Sequence, residues 1–211
     1  MMDVKTVSVA GLSVSRETFA KLEAFEALVR HWNTAINLVS GSSLPELWQR
    51  HIVDSAQLFA FCPVHAKSWM DIGSGGGFPG LVVSILAQDA MPELRVTLVE
   101  SDLRKATFLR QAVQSLGMNA QVISDRVESV PPQSADVLSA RALASLSGLL
   151  GFAQRHLQPE GVALFPKGER FEAEIADARK LWSFDIEAQP SLSHPGAAIL
   201  VIRKIERAKQ V

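Results

Sequence analysis

Residues 69–80 read W-M-D-I-G-S-G-G-G-F-P-G, an apolar run that ends in Asp71 and opens into a turn holding Gly73, Gly75, Gly76 and Gly77. Phe78-Pro79-Gly80 then leads directly into L-V-V-S-I-L-A. Glycine accepts positive φ and lets a ligand come close where a β-carbon would clash. A strand, such a turn and a helix form a nucleotide-type pocket, because the first turn of the helix presents unpaired N–H groups. A tight turn without a ligand has the same glycines, and Gly75, Gly77 and Gly80 also satisfy the dinucleotide pattern G-x-G-x-x-G. The neighbouring segments narrow the choice.

From Ser68 onward, short apolar runs alternate with longer segments of helical spacing. Strands are expected at 68–72, 95–100, 120–124, 135–139, 161–166, 184–188 and 197–203, and helices at 79–89, 103–116, 143–157 and 169–182. This alternation predicts an α/β fold, a mostly parallel seven-stranded sheet with helices on both faces. Upstream, Phe19, Leu22, Phe25, Leu28, Val29, Trp32 and Ile36 recur at helical spacing, and Leu44 to Phe59 repeat that character over 43–61. The chain therefore reads as a single domain over 1–211, with a helical N-terminal cap (1–62) packed on a core at 66–205. In an open α/β sheet, ligands bind beyond the carboxyl ends of the strands, where strand order reverses. The loops after each strand are the places to seek chemistry.

Asp71 stands ahead of the first glycine, whereas in the dinucleotide fingerprint that glycine usually follows the strand directly. An acid preceding G-x-G-x-G is the pattern of Rossmann-like class I methyltransferases that use S-adenosylmethionine (SAM), in which the glycines let the methionine portion lie against the backbone. Asp71, Gly73 and Gly75 are thus candidate cofactor residues. The second strand, R-V-T-L-V-E, ends in Glu100, whose carboxylate can accept both ribose hydroxyls of an adenosine. A solvent-facing acid is the plainer alternative. After the third strand, D-R-V-E (Asp125–Glu128) can border an adenine through backbone amides and polar side chains.

The fourth strand ends in S-A-R-A-L (Ser139–Leu143). Methyltransferases that act on exocyclic base amines commonly carry an N/D-P-P-F/Y loop here, and this chain lacks it. Methylation of pyrimidine C5 needs a cysteine nucleophile. The one cysteine, Cys62, lies in the cap segment and reads as a small buried hydrophobe. Arg141 can pair with a phosphate, with the methionine carboxylate or with a structural acid.

With 47% hydrophobic and 20% charged residues the chain is globular, and its formal charge of −1 leaves nucleic-acid contact to a local basic face. A single cysteine fits a reducing compartment. The N-terminus lacks the pattern of a signal peptide, and no apolar run reaches the ~18–20 residues of a membrane span. A cytoplasmic protein without a membrane partner is expected. No His, Cys, Asp and Glu cluster has metal-ligand spacing, so no metal is implied.

N-L-V-S (Asn37–Ser40) with R-H-I-V-D-S (Arg50–Ser55), the D-I-G-S-G-G-G-F-P-G turn, S-A-R-A-L and F-P-K-G (Phe165–Gly168) together resemble one family. It is the bacterial 16S rRNA guanine-N7 methyltransferases, also called glucose-inhibited division protein B, and the resemblance runs from residue 15 to residue 203. It implies SAM as cofactor, 16S rRNA of the small ribosomal subunit as partner and guanine-527 as target. Carried over by motif, Gly73, Phe78, Val127, Glu128 and Arg141 line the SAM site. The family's R-A-E is R-V-E here, and its D-S-x-x-K-R is E-S-D-L-R-K, so that Glu100 replaces an Asp and Arg104 and Lys105 exchange order.

Guanine N7 is an unprotonated acceptor exposed in the major groove. Its attack on a sulfonium methyl removes no proton beforehand, so alignment is the catalytic task. Arg141, His51 and Lys167 are the expected substrate-positioning residues. Contacts to RNA are expected from Arg50, His51, Arg104, Lys105, Lys167, Arg203 and Lys204, with Arg126 and Arg170 as further candidates. The C-terminal R-K-I-E-R-A-K (203–209) is equally a solvated helix end or a frayed tail. One helical turn separates Arg50 from Asp54, which predicts a weak pair. A monomer is expected. The alternatives are a SAM-dependent methyltransferase of a small molecule or protein, a non-catalytic binding module, and an NAD-dependent oxidoreductase, the last opposed by Asp71 and by the lack of any tyrosine.

Overall fold

The computed structural model describes residues 6–208; Lys209, the last of the basic C-terminal residues, lies outside them. The chain opens with a hairpin of β1 (Val7–Val9) and β2 (Leu12–Val14), followed by α1 (Arg16–Trp32) and a run of single turns that includes α2 (Asp54–Ala56). Then come β3 (Ser68–Ile72), α3 (Gly80–Ala90), β4 (Arg95–Val99), α4 (Leu103–Ser115), β5 (Ala120–Ile123), β6 (Ala135–Ala140) and α5 (Leu146–His156). The chain finishes with β7 (Leu157–Lys167), α6 (Phe171–Ala178), β8 (Trp182–Pro190) and β9 (Ala198–Arg207).

Strands β3 to β9 form one seven-stranded sheet in the order β5-β4-β3-β6-β7-β9-β8, the architecture expected from the alternating pattern. From β5 through β7 all pairs are parallel, and β9 runs antiparallel to both of its neighbours. The chain winds outward from β3 through β4 to β5, then returns to the other side of β3 with β6. Strand order therefore reverses between β3 and β6, and the glycine turn and the Arg141 loop leave the sheet side by side there.

One core lies on each face of the sheet, with α1, α3 and α4 on one side and α5 and α6 on the other. Helix α3 buries every residue from Gly80 to Ala87, because it is enclosed between the sheet and the cap; its sequence is accordingly apolar all round. Ser15 starts α1 by accepting from the Thr18 amide, and Leu22, Phe25 and Val29 form its buried stripe. The cap is fastened by aromatic pairs, Phe25 with Phe78 at 5.2 Å and Trp32 with Phe108 at 5.7 Å between ring centroids.

Four local departures from the sequence reading have identifiable causes. Segment 43–61 is no continuous helix but a 3₁₀ turn at Gly41–Ser43, a π-turn at Trp48–Val53, α2, and a 3₁₀ turn at Gln57–Phe61. The wide turn leaves the Arg50 carbonyl to accept from Arg141 Nη1 at 3.2 Å. The hairpin turns at Ala10 and Gly11, whose φ values of 51° and 80° give the two-residue turn favoured between twisted strands. Helix α5 begins only at Leu146, because Ser145 accepts from the Gly148 amide, which leaves 141–145 as a loop. Residues 203–207 are neither helix end nor tail: they extend β9 and pair with β8. Among the described residues no helix is long and apolar enough to cross a membrane.

Candidate active site

Asp71, expected to touch the cofactor, is fully buried and faces inward. Its Oδ1 accepts from Ser139 Oγ at 2.6 Å, Ser139 Oγ accepts from Trp69 Nε1 at 2.8 Å, and its Oδ2 accepts from the Gly80 amide at 3.2 Å. The carboxylate thus ties β3, β6 and the first turn of α3 together. Burial pushes its carboxyl up to about 6, against the pull of these hydrogen bonds and of the Arg141 charge. Asp71 shapes the turn without lining the cavity. At Gly73 the requirement for glycine is twofold: φ is +65°, and a β-carbon would stand 2.7 Å from Leu143 Cδ1.

Beyond the turn lies a cavity of about 330 Å³ lined by Gly73, Val99, Ser101, Asp125, Arg126, Val127, Glu128, Leu143, Ala144 and Phe152. Glu100 holds its rim: Oε2 accepts from the Gly75 amide and Oε1 from the Asp102 amide, each at 2.8 Å. Each oxygen keeps a lone pair for a further donor. The far wall is fixed from beneath, where His156 Nε2 donates to the Val127 carbonyl at 3.3 Å and Arg155 Nη2 to the Val130 carbonyl at 3.1 Å. A bare glycine face, a carboxylate with free lone pairs and a half-apolar wall fit an adenosine carrying a short amino-acid chain. Phe78 contributes differently from expectation: its ring is buried against Phe25, His51 (5.1 Å) and the Arg141 guanidinium (5.2 Å), so its side chain packs and does not line the cavity.

A second cavity, of about 550 Å³, adjoins the first across Leu143 and Ala144 and is bordered by Arg50, Asp54, Arg141, Lys167, Glu174, Ser191, Ser193 and His194. Arg141, expected to line the SAM site, borders this second cavity and not the first. Its guanidinium donates to the Arg50 carbonyl, to His51 Nδ1 at 2.7 Å, and pairs with Asp54 at 3.5 Å. Burial lowers its pKa while Asp54 and Asp71 oppose the shift, and a guanidinium in such company stays charged. Because Arg141 can only donate, His51 accepts at Nδ1 and carries its proton on Nε2, which meets Ser43 Oγ at 2.9 Å. Burial, with the charges of Arg141 and Arg50, pushes the imidazole down to about 4. With both nitrogens occupied, His51 supports Arg141 and is not a free RNA contact.

The weak Arg50–Asp54 pair is replaced by Arg141–Asp54, and Asp54 also accepts from Gln57 Nε2 at 3.0 Å and Ser193 Oγ at 2.5 Å. Arg50 itself is exposed at the mouth of the second cavity. Lys167 is likewise engaged, its Nζ donating to the Ala144 carbonyl at 3.0 Å and to Glu174 at 2.8 Å. Arg104 and Lys105 stand at the start of α4, where Asp102 accepts from both amides. Arg203 and Lys204 are not brought to the site. They lie down β9 from Ala198, the residue that pairs with Lys167, and face Glu187 at 3.8 Å and Asp185 at 2.9 Å. Burial pushes the Cys62 thiol up to about 12, in keeping with an inert side chain.

The family model of rRNA small subunit methyltransferase G matches residues 18–200. The chain belongs to this family. A ribosomal RNA small subunit methyltransferase G of Ruegeria sp. (strain TM1040) is 51% identical over 196 residues, 93% of this chain and 95% of its relative. One of Cereibacter sphaeroides (strain ATCC 17029) is 52% identical over the same shares. Among solved structures, a SAM-dependent methyltransferase from Aquifex aeolicus superposes with a TM-score of 0.57 at 13% identity, covering 75% of this chain and 92% of the other. The TYW2 protein of M. jannaschii in complex with AdoMet gives 0.54 at 18% identity, over 83% and 80%. The fold is that of class I methyltransferases, and this member of the rRNA small subunit methyltransferase G family is a SAM-dependent methyltransferase.

Several site residues of this family member escape a sequence reading. Gln57, Glu174, Ser191 and Ser193 act by holding a charged partner and Ser43 by holding the neutral His51 ring, and isolated serines and acids carry no spacing signal. Leu143 closes the S-A-R-A-L motif, in which an apolar residue beside an arginine carries no chemical signal of its own.

Proposed function

We propose that the chain methylates N7 of guanine-527 in 16S rRNA, with the first cavity holding SAM and the second receiving the base. The relatives are named for small-subunit rRNA, which supports the substrate class. The observation that carries the choice of atom is the state of the second cavity. Among the described residues, the two acids lining it are each committed to a cation, Asp54 to Arg141 and Glu174 to Lys167, while the exposed His194 donates its Nδ1 proton to the Pro195 carbonyl. Guanine N7 has a lone pair ready and needs no proton removed before attack, which suits a cavity whose acids are committed to cations.

Bound SAM supplies an electrophilic methyl group. Glu100 orients the ribose, Gly73 and Gly75 let the amino-acid portion lie on the backbone, and the Val127–Glu128 segment borders the adenine. Arg141, locked by His51 and Asp54, presents a fixed positive charge to the second cavity. Arg50, Arg126 and Lys105 draw phosphates to the rim. Rate enhancement comes from alignment of acceptor and donor and from exclusion of water. The enzyme acts in the cytoplasm as a monomer and needs no metal, because N7 is nucleophilic as it stands.

The test is transfer of tritiated methyl from SAM to small ribosomal subunits isolated from cells lacking the protein, followed by mapping of the labelled nucleotide by strand cleavage at 7-methylguanine. Label at guanine-527 is expected. Label at another nucleotide, or at an exocyclic amine, overturns the proposal.

A further inference from the structure

Leu143 borders both cavities, is 40% exposed, and covers the bare face of Gly73, where a β-carbon would come within 2.7 Å of its Cδ1. It therefore occupies the space that this glycine keeps open for a ligand. The loop that carries it is held at both ends. Ala142 before it has φ +54°, a left-handed conformation that alanine keeps only when its surroundings impose it. After it, the Ala144 carbonyl accepts from Lys167 Nζ, while Glu174 takes both Lys167 Nζ and the Leu146 amide, at 2.8 and 2.9 Å.

We propose that Leu143 is a displaceable plug that sets the order of binding. In the free enzyme it fills the cradle over Gly73 and separates donor from acceptor cavity. Seating of the amino-acid portion of SAM pushes it aside, with Ala142 as the hinge, and the two cavities become continuous. The base then meets a donor already in place, so that cofactor binds first. Lys167 and Glu174 are positioning residues that clip the loop in its closed form. This inference rests on the assignment of the two cavities made above.

The experiment combines stopped-flow binding of S-adenosylhomocysteine with hydrogen–deuterium exchange of the intact protein. Protection of 125–128 by the ligand checks the cavity assignment separately, and its absence overturns that reading together with the plug. Given protection, Leu143→Ala is expected to raise the association rate about 10-fold with dissociation unchanged, as for a competent state that is a minor population of the free enzyme. Leu143→Phe should slow association, and Lys167→Met, which frees the Ala144 carbonyl, should speed it. Wild-type association rates in all three proteins overturn the plug. So does weaker binding of Leu143→Ala through faster dissociation, which would make Leu143 an ordinary ligand contact.

Discussion

Arg141 Nη2 donates to His51 Nδ1 at 2.7 Å, and that single contact fixes the tautomer of a histidine whose other nitrogen rests on Ser43. The pair joins the cap to the loop after β6, so the cap is part of the site and not a cover laid over it. Arg141→Lys keeps the charge but loses the fork that reaches His51, the Arg50 carbonyl and Asp54 together. Misplacement on the scale of an ångström should lower kcat/KM about 100-fold. Arg141→Ala should in addition cost about 1–3 kcal/mol of stability, because buried partners are left unpaired. Methyl-transfer kinetics beside urea unfolding of both variants measure the two effects.

Opposite pH dependences meet at this site. His51, lowered from 6.5 to about 4 in the fold, binds a proton first in the unfolded chain, so its contribution to stability is lost as pH falls from 6.5 toward 4. Asp71, raised from 3.8 to about 6, holds its proton longer when folded, so its contribution is present below 3.8 and lost as pH rises through 6. The two offset each other between pH 4 and 6. His51→Gln should therefore gain on the wild type as pH drops to 4, and Asp71→Asn should gain on it as pH rises to 7, each by up to about 3 kcal/mol. Unfolding by urea at pH 4, 5.5 and 7 separates them; parallel curves for variant and wild type would contradict the assignment.

The salt dependence of RNA binding distinguishes exposed cations from engaged ones. Arg50→Ala should flatten the slope of log affinity against log salt by about 1. Lys167→Met should leave the slope unchanged, because its charge is already spent on Glu174. Filter binding to a 16S rRNA fragment that contains the proposed target guanine, across a salt series, reads both.

Gly73→Ala tests the turn. An alanine at φ +65° costs about 1–2 kcal/mol in conformation alone, and its methyl would press on Leu143. Loss of SAM binding should exceed the loss of thermal stability, as titration calorimetry beside thermal melts would show.

The sheet was readable because each buried strand is a short apolar run set between helical repeats, and Gly73, Glu100 and Val127 follow from their places at strand ends. What stayed illegible was direction. Asp71 and Phe78 sit in the most informative motif of the chain, yet their side chains point into the core. A sequence marks that an acid precedes the glycines and is silent on whether it meets a ligand or an amide. The turns of 43–61 were hidden for a related reason, since the capture of the Arg50 carbonyl by a residue 91 positions away has no local signature.

Strand β9 enters the sheet between β7 and β8, and the connection ahead of it brings Ser193 to Asp54 and the Leu192 amide to Gln57. Leu192 and Ser193 follow the glycine turn by more than a hundred positions. A chain emerging N-terminus first can complete the glycine turn and the first cavity before this wall exists. The second cavity is thus completed later in synthesis than the first, and its shape waits on the docking of a segment far along the chain from Asp54 and Gln57.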